Sequence, residues 1–215
     1  MDWAHPFAKR LFDIAGAALA LALLSPLLLL VALRIKLDSP GPVFFRQQRV
    51  GRRGVSFHIH KFRTMAHGAA GLQITVGADP RITRAGAWLR RTRIDELPQF
   101  IDVLQGTMSL VGPRPEVPRY VAHYPSGLRE RVLAVRPGIT DPASLGAMDE
   151  SAVLAGAADP EREYIEHILP AKLQRSADYA EQASLGSDLA VLWRTAARLL
   201  ALARRSPGCA AAKID

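Results

Sequence analysis

A single cysteine, Cys209, occurs in this 215-residue chain, so no disulfide framework can staple it and its composition fits a reducing compartment. Aromatic residues are sparse at 7%. They are not interleaved with the basic clusters in the way a base-stacking surface requires, which argues against nucleic acid as a partner. Acids are scarce where bases are dense: from Arg46 to Arg93 eleven Lys or Arg stand against one acid, Asp79. Charge of either sign is missing from Ile14 to Leu33. There is no internal repeat and no long low-complexity tract. The length suits one compact domain plus a membrane element. What remains is a net charge of +8, which favours anionic headgroups or phosphorylated substrates.

The uncharged run is twenty residues long, enough for a helix to cross a hydrocarbon core of roughly 30 Å. It is too long for a signal-peptide core, and no small-x-small cleavage site follows it. Two readings stay open, a spanning helix and a re-entrant one that returns to its starting face. Ser25-Pro26 lies near the centre, where proline removes a helix hydrogen bond and Ser25 can satisfy a freed carbonyl. Lys9 and Arg10 flank one end, Arg34 and Lys36 the other, so the positive-inside rule does not choose between them.

Asp38-Ser-Pro-Gly-Pro42 is a turn leading out of this element. Val43–Val50 and Val55–Thr64 read as strands of a short β-hairpin around Gly51–Gly54. His58 and His60 sit at alternate positions. Without a third ligand they are weak metal candidates and read as surface or substrate-side residues. Ile82–Arg93 reads as a helix, and a second helix carries Leu97, Phe100, Ile101 and Leu104 up to Gly106. Met108–Val111 reads as a short strand. Leu185, Leu189, Leu192 and Trp193 form an apolar helical stripe beside Arg194, Arg198 and Arg205. That pattern suits either a core helix or a basic amphipathic helix in the headgroup layer.

The chemistry concentrates at Asp95-Glu96. The bland reading makes Asp95 an N-cap, with Glu96 favoured by the helix dipole. The alternative is a carboxylate that meets a polyanion such as a nucleotide diphosphate, amid so much positive charge. Two prolines fix the backbone around Arg114 in Gly112-Pro-Arg-Pro115, presenting a planar fork suited to phosphate oxygens. Arg136-Pro-Gly-Ile-Thr140 is another rigid turn.

With these residues in view, the chain resembles the small monotopic phosphoglycosyl transferases, bacterial sugar transferases that begin glycan assembly on a polyprenol. The resemblance runs from Lys9 to about Arg205. It rests on Lys9-Arg10-Leu-Phe-Asp13, Ser25-Pro26, Gly41–Gly51, Lys61-Phe-Arg-Thr-Met65, Leu89–Gln99, Gly106–Glu116 and Arg136–Thr140, in that order and spacing. It implies an α/β, mainly helical fold: a re-entrant helix-break-helix hairpin over 1–37, a cytoplasmic catalytic domain over 38–206 with membrane-surface amphipathic helices, and a flexible tail over 207–215. It implies transfer of a sugar 1-phosphate from a nucleoside diphosphate sugar, usually a UDP-sugar, to undecaprenyl phosphate. This is the first membrane step of polysaccharide or glycoconjugate assembly at the bacterial inner membrane.

By the same resemblance Asp95 is the nucleophile and Mg²⁺ ligand, Glu96 is its partner, and Mg²⁺ is the cofactor. Lys61, Arg90 and Arg114 fall on positions used around the phosphates, with Arg63 and Arg136 as weaker carry-overs. A homodimer is compatible with such a chain. The stretch Asp141–Glu150 departs from the family: Asp141-Pro-Ala-Ser144 stands where many members have Gly-Trp-Ala-Gln, and Leu145–Glu150 lacks the expected aromatic and basic residues, which leaves donor identity open. The rival reading is a non-enzymatic basic membrane protein that binds anionic lipid or another polyanion.

Overall fold

The computed structural model describes residues 6–69, 71–141 and 150–204. The expected tail at 207–215, with Cys209, lies outside them, as do Arg205 and most of the divergent stretch that begins at Asp141.

Helix α1 runs from Pro6 to Asp38, about 50 Å at 1.5 Å per residue. Leucine and alanine dominate its interior, the residues least costly in a helix. It is the one helix among the described residues long and apolar enough to cross a membrane. The break expected at Ser25-Pro26 is absent, and helical residues continue on both sides of the proline. The reason is local. Pro26 offers no N–H to the carbonyl four residues back, and the Ser25 hydroxyl donates to that Ala22 carbonyl at 2.9 Å.

Both ends of α1 are tied to one body. Near its start, Arg10 donates to the Val103 carbonyl at 2.7 Å. Asp13 Oδ1 accepts from the Leu110 amide at 3.1 Å, and Lys9 Nζ lies 2.6 Å from Asp188. Near its end, Val31 and Ile35 pack on Phe62 and Leu89, and Asp38 accepts from the Ala85 amide at 3.0 Å. Between these anchors Leu19 and Leu23 are exposed.

Strands β1 (Phe44–Val50) and β2 (Ser56–Phe62) form the expected hairpin, with Phe45 opposite Lys61. Helix α2 (Arg84–Thr92) follows, capped by the Thr83 hydroxyl, which accepts from the Gly86 amide. A Cβ at Gly86 would lie 1.9 Å from the Thr64 carbonyl oxygen, so only glycine lets α2 approach the chain leaving β2 this closely. A 3-10 turn, Ile94–Glu96, joins α2 to α3 (Gln99–Gln105), which ends at Gly106 in the left-handed region.

Strand β3 (Ser109–Val111) pairs in parallel with β4 (Gly138–Thr140). Helices α4 (Pro118–Val121) and α5 (Ser126–Leu133) supply the crossover that a parallel pair requires. The chain continues through α6 (Glu150–Ala155), α7 (Pro160–Glu163), a π-helical turn (Tyr164–Ile168), α8 (Leu169–Gln182) and α9 (Leu185–Arg204).

One core joins α4, α5 and α8 through Val121, Val132, Leu169 and Leu173. A second packs Ala17 of α1 against Val103, Met108, Leu110 and Val191. The stripe read along α9 is divided by this packing. Val191 and Leu192 turn inward, while Leu185, Leu189 and Trp193 are exposed. Asp188 sets the rotation: it is fully buried and held by Lys9 and by the Tyr179 hydroxyl.

Candidate active site

Asp95 is not the helix cap that its position in the sequence allows. It lies inside the 3-10 turn, and Pro98 occupies the N-cap of α3 with no side-chain cap bond. The turn faces inward because Arg93 adopts a left-handed conformation (φ 59°), which ends α2 and reverses the chain. That conformation costs a non-glycine residue roughly 1–2 kcal/mol. Asp95 and Glu96 are buried as a result, at 2% and 8% exposure.

Four side chains from three places meet here. Lys61, from β2, puts Nζ 2.8 Å from Asp95 Oδ2 and 3.2 Å from Glu96 Oε1. Arg114, from the loop after β3, grips both oxygens of Glu96, at 2.6 and 3.2 Å. That loop is fixed from behind: the Gly138 amide donates to the Pro113 carbonyl, and partly buried Arg49 donates to the Pro115 carbonyl. The other oxygen of Asp95, Oδ1, is buried and has no hydrogen-bond partner among the described residues. Buried carboxylate oxygens are rarely left this way.

The electrostatics follow from the geometry. Burial pushes the Glu96 carboxyl up, but the Arg114 and Lys61 charges outweigh it and hold Glu96 well below the usual carboxylate range. Glu96 in turn raises the Arg114 guanidinium. Arg90 is partly buried and donates to the Thr75 hydroxyl at 2.8 Å. Burial lowers its basicity and Asp95 works against that, so Arg90 belongs to the same field. Lys61, Arg90, Arg93 and Arg114 against Asp95 and Glu96 leave two positive charges in excess. An ionised diphosphate diester carries about that much negative charge.

The remaining expected site residues are engaged elsewhere. Arg63 is buried and spends its guanidinium on the Pro42 carbonyl and on Ser39, strapping the exit of α1. Arg136 donates to the Gly106 carbonyl, closing the loop after α3. His58 is exposed as expected, but His60 is not substrate-side, because it docks on buried Asp102. Reading the sequence passed over Arg93, 3.9 Å from Glu96 Oε1. Its signal was present in the i, i+3 spacing from Arg93 to Glu96.

The chain thus combines a helix long and apolar enough to cross a membrane with a small α/β body that cages a carboxylate pair under excess positive charge. The bacterial sugar transferase family profile matches residues 4–201, and the chain belongs to that family. It is 41% identical over 196 residues to the UDP-glucose:undecaprenyl-phosphate glucose-1-phosphate transferase of Caulobacter vibrioides, covering 89% of this chain and 69% of that protein. It is 39% identical over 202 residues to the UDP-N-acetylgalactosamine-undecaprenyl-phosphate N-acetylgalactosaminephosphotransferase of Aeromonas hydrophila, covering 91% and 44%. Over 109 residues it is 55% identical to the exopolysaccharide production protein PSS of Rhizobium leguminosarum bv. phaseoli, covering 49% and 54%. The chain thus spans between 44% and 69% of the length of these relatives.

Proposed function

We propose that this chain transfers a sugar 1-phosphate from a UDP-sugar to undecaprenyl phosphate, with Asp95 as nucleophile. The observation that carries the reading is the Asp95 carboxylate, with one oxygen oriented by Lys61 and the other buried and unpartnered. An anion without a hydrogen bond to shed is a ready nucleophile.

In the first step an Asp95 oxygen attacks the sugar-bearing phosphorus. The bond from that phosphorus to the bridging oxygen breaks, and UMP leaves with the electron pair. In the second step a phosphate oxygen of undecaprenyl phosphate attacks the same phosphorus. The aspartyl O–P bond breaks, Asp95 is restored, and undecaprenyl diphosphosugar departs. Lys61, Arg90 and Arg114 hold the equatorial oxygens, and Glu96 keeps Arg114 and Lys61 aligned before substrate arrives. Splitting the reaction in two lets the soluble donor react and UMP leave before the lipid acceptor enters.

The site also fits Mg²⁺. The described residues offer no cluster of three or more His, Cys, Asp or Glu for a metal, but Mg²⁺ typically takes one or two carboxylates and completes its shell with phosphate oxygens and water. Asp95, with Glu96 beside it, would hold the ion. When bound, it would lower the repulsion between carboxylate and diphosphate and stabilise the departing UMP.

The membrane reading is monotopic, with the body on the cytoplasmic face of the inner membrane and α1 embedded from that face rather than crossing to the other. Support comes from the two ends of α1, which bind the same body through Asp13 and Asp38. The exposed Leu185, Leu189 and Trp193 of α9 would lie in the headgroup layer. The donor class follows the UDP-hexoses in the relatives' names, and the step would open a polysaccharide or glycoconjugate pathway.

The test is UMP release in nanodiscs, with Mg²⁺ and a panel of UDP-sugars but no undecaprenyl phosphate. About one equivalent of UMP per protein should appear with one donor, leaving labelled sugar phosphate on the protein; adding acceptor should then start turnover. Turnover with no labelled protein at any time would remove Asp95 as nucleophile.

A further inference from the structure

Arg93 is unlike the other cations of the site. Lys61 and Arg114 are bound to carboxylates at hydrogen-bond distance, and Arg90 is bound to Thr75. Among the described residues the Arg93 guanidinium has only a long 3.9 Å ion pair to Glu96, and its side chain is 62% exposed. It therefore stands at the mouth of the site with its donors uncommitted. Its backbone is left-handed, the conformation for which glycine or asparagine is the ordinary choice at a helix end. Arginine at such a position is not what the local backbone favours, and Arg93, unlike the left-handed Arg53 of the β1–β2 turn, adjoins the carboxylate pair.

Resting on the proposed reaction, we propose that Arg93 is a substrate-contacting residue that binds the phosphate of whichever partner is not being transferred. The transferred phosphoryl lies against Asp95, where Lys61 and Arg114 are already gathered. A second phosphate must sit beside it: the nucleotide-side phosphate of the donor in one half-reaction, or the phosphate of the lipid acceptor in the other. Both are the same chemistry, an anionic oxygen group arriving from solvent or bilayer, and a planar exposed fork beside Glu96 suits either. The dipole of α2 gives a blander reason for a cation here, yet that favours any last-turn position, and Arg90 and Arg91 already occupy that turn.

The backbone supplies a clean test, because Arg93→Gly removes the fork and relieves the left-handed residue at once. A purely structural arginine predicts equal or higher Tm and unchanged KM. The proposal predicts equal or higher Tm together with a KM about tenfold higher for one substrate, the loss of one charge-assisted hydrogen bond. A rise for the UDP-sugar, with a matching rise in the inhibition constant for UMP, assigns the nucleotide-side phosphate; a rise for undecaprenyl phosphate assigns the acceptor. Arg93→Lys should recover part of the loss.

Arg53 is the control, since among the described residues it is the other left-handed non-glycine residue (φ 58°) and lies in the β1–β2 turn. Arg53→Gly should leave both KM values alone. Unchanged KM values in Arg93→Gly, or a KM rise that comes with a lower Tm, would overturn the assignment. Absence of UMP release from the wild type would instead defeat the transferase reading, so the two failures are told apart.

Discussion

Asp95 and Asp102 are both buried aspartates, one in the 3-10 turn and one in α3, and they are used in opposite ways. Asp102, fully buried, has both carboxylate oxygens engaged by His60: the amide donates to Oδ2 at 2.8 Å and the ring Nδ1 pairs with Oδ1 at 2.6 Å. It fastens β2 to α3 and asks for nothing more. Asp95 has a lysine on one oxygen and, among the described residues, no hydrogen bond on the other. Leaving a buried polar group unpaired costs about 1–3 kcal/mol. Burial alone therefore does not mark a reactive carboxylate; what sets Asp95 apart is the surplus of cations gathered around it and its neighbour Glu96.

The sharpest way to break this comparison is to remove one charge from each. Asp95→Asn should lower turnover by roughly a thousandfold or more, about 4 kcal/mol in the barrier, with Tm little changed. Asp102→Asn should do the reverse, costing about 2–3 kcal/mol of stability because a buried donor of His60 loses its acceptor, while the folded fraction turns over normally. Thermal melts and UMP release on the same samples decide it. An inactive but fully stable Asp102→Asn would mean that the satisfied aspartate also takes part in the chemistry.

Arg114→Lys comes next in size. The ammonium keeps the charge but loses the two-pronged grip on Glu96, and turnover should fall about a hundredfold. A loss below threefold would show that charge, and not the fork held by its two prolines, is what the site needs.

Much of this was legible in the chain. The hairpin, α2, α3 and the Gly106 stop followed from alternation, helical spacing and turn residues, and Asp95-Glu96 stood out by charge contrast. What escaped depended on tertiary partners. Pro26 promised a break, but a neighbouring serine supplied the missing hydrogen bond. Arg63 and Arg136 looked like phosphate ligands because arginine serves carbonyls and phosphates with the same donors; only the fold shows Ser39, Pro42 and Gly106 waiting for them. The parallel partner of β3 lay hidden in Gly138-Ile-Thr140, which reads as a turn. A Cβ at Gly138 would sit 2.0 Å from the Gly112 amide nitrogen, a contact no local pattern announces. The rotation of α9 was set by Asp188, a polar residue in what reads as an apolar stripe.

The smallest expected effect concerns Glu96, which resolves the comparison further because this carboxylate is buried yet saturated with cations. Its value in the folded protein lies well below the ordinary 4.5. A group whose value falls on folding stabilises above its unfolded value and loses that contribution as pH drops through the folded one. The wild type should therefore hold its Tm from neutral pH down to about 4.5 and decline below it. Burial pulls the other way, so the sign rests on Arg114 and Lys61. Glu96→Gln should flatten the acid limb relative to wild type by an amount on the order of 1–2 kcal/mol. Arg114→Gln, which keeps Glu96 but removes its strongest partner, should leave the onset near 4.5 and make the decline below it shallower. Matching acid limbs in all three proteins would mean that the Glu96–Arg114 pair adds nothing to stability, leaving its alignment of the site as its whole purpose.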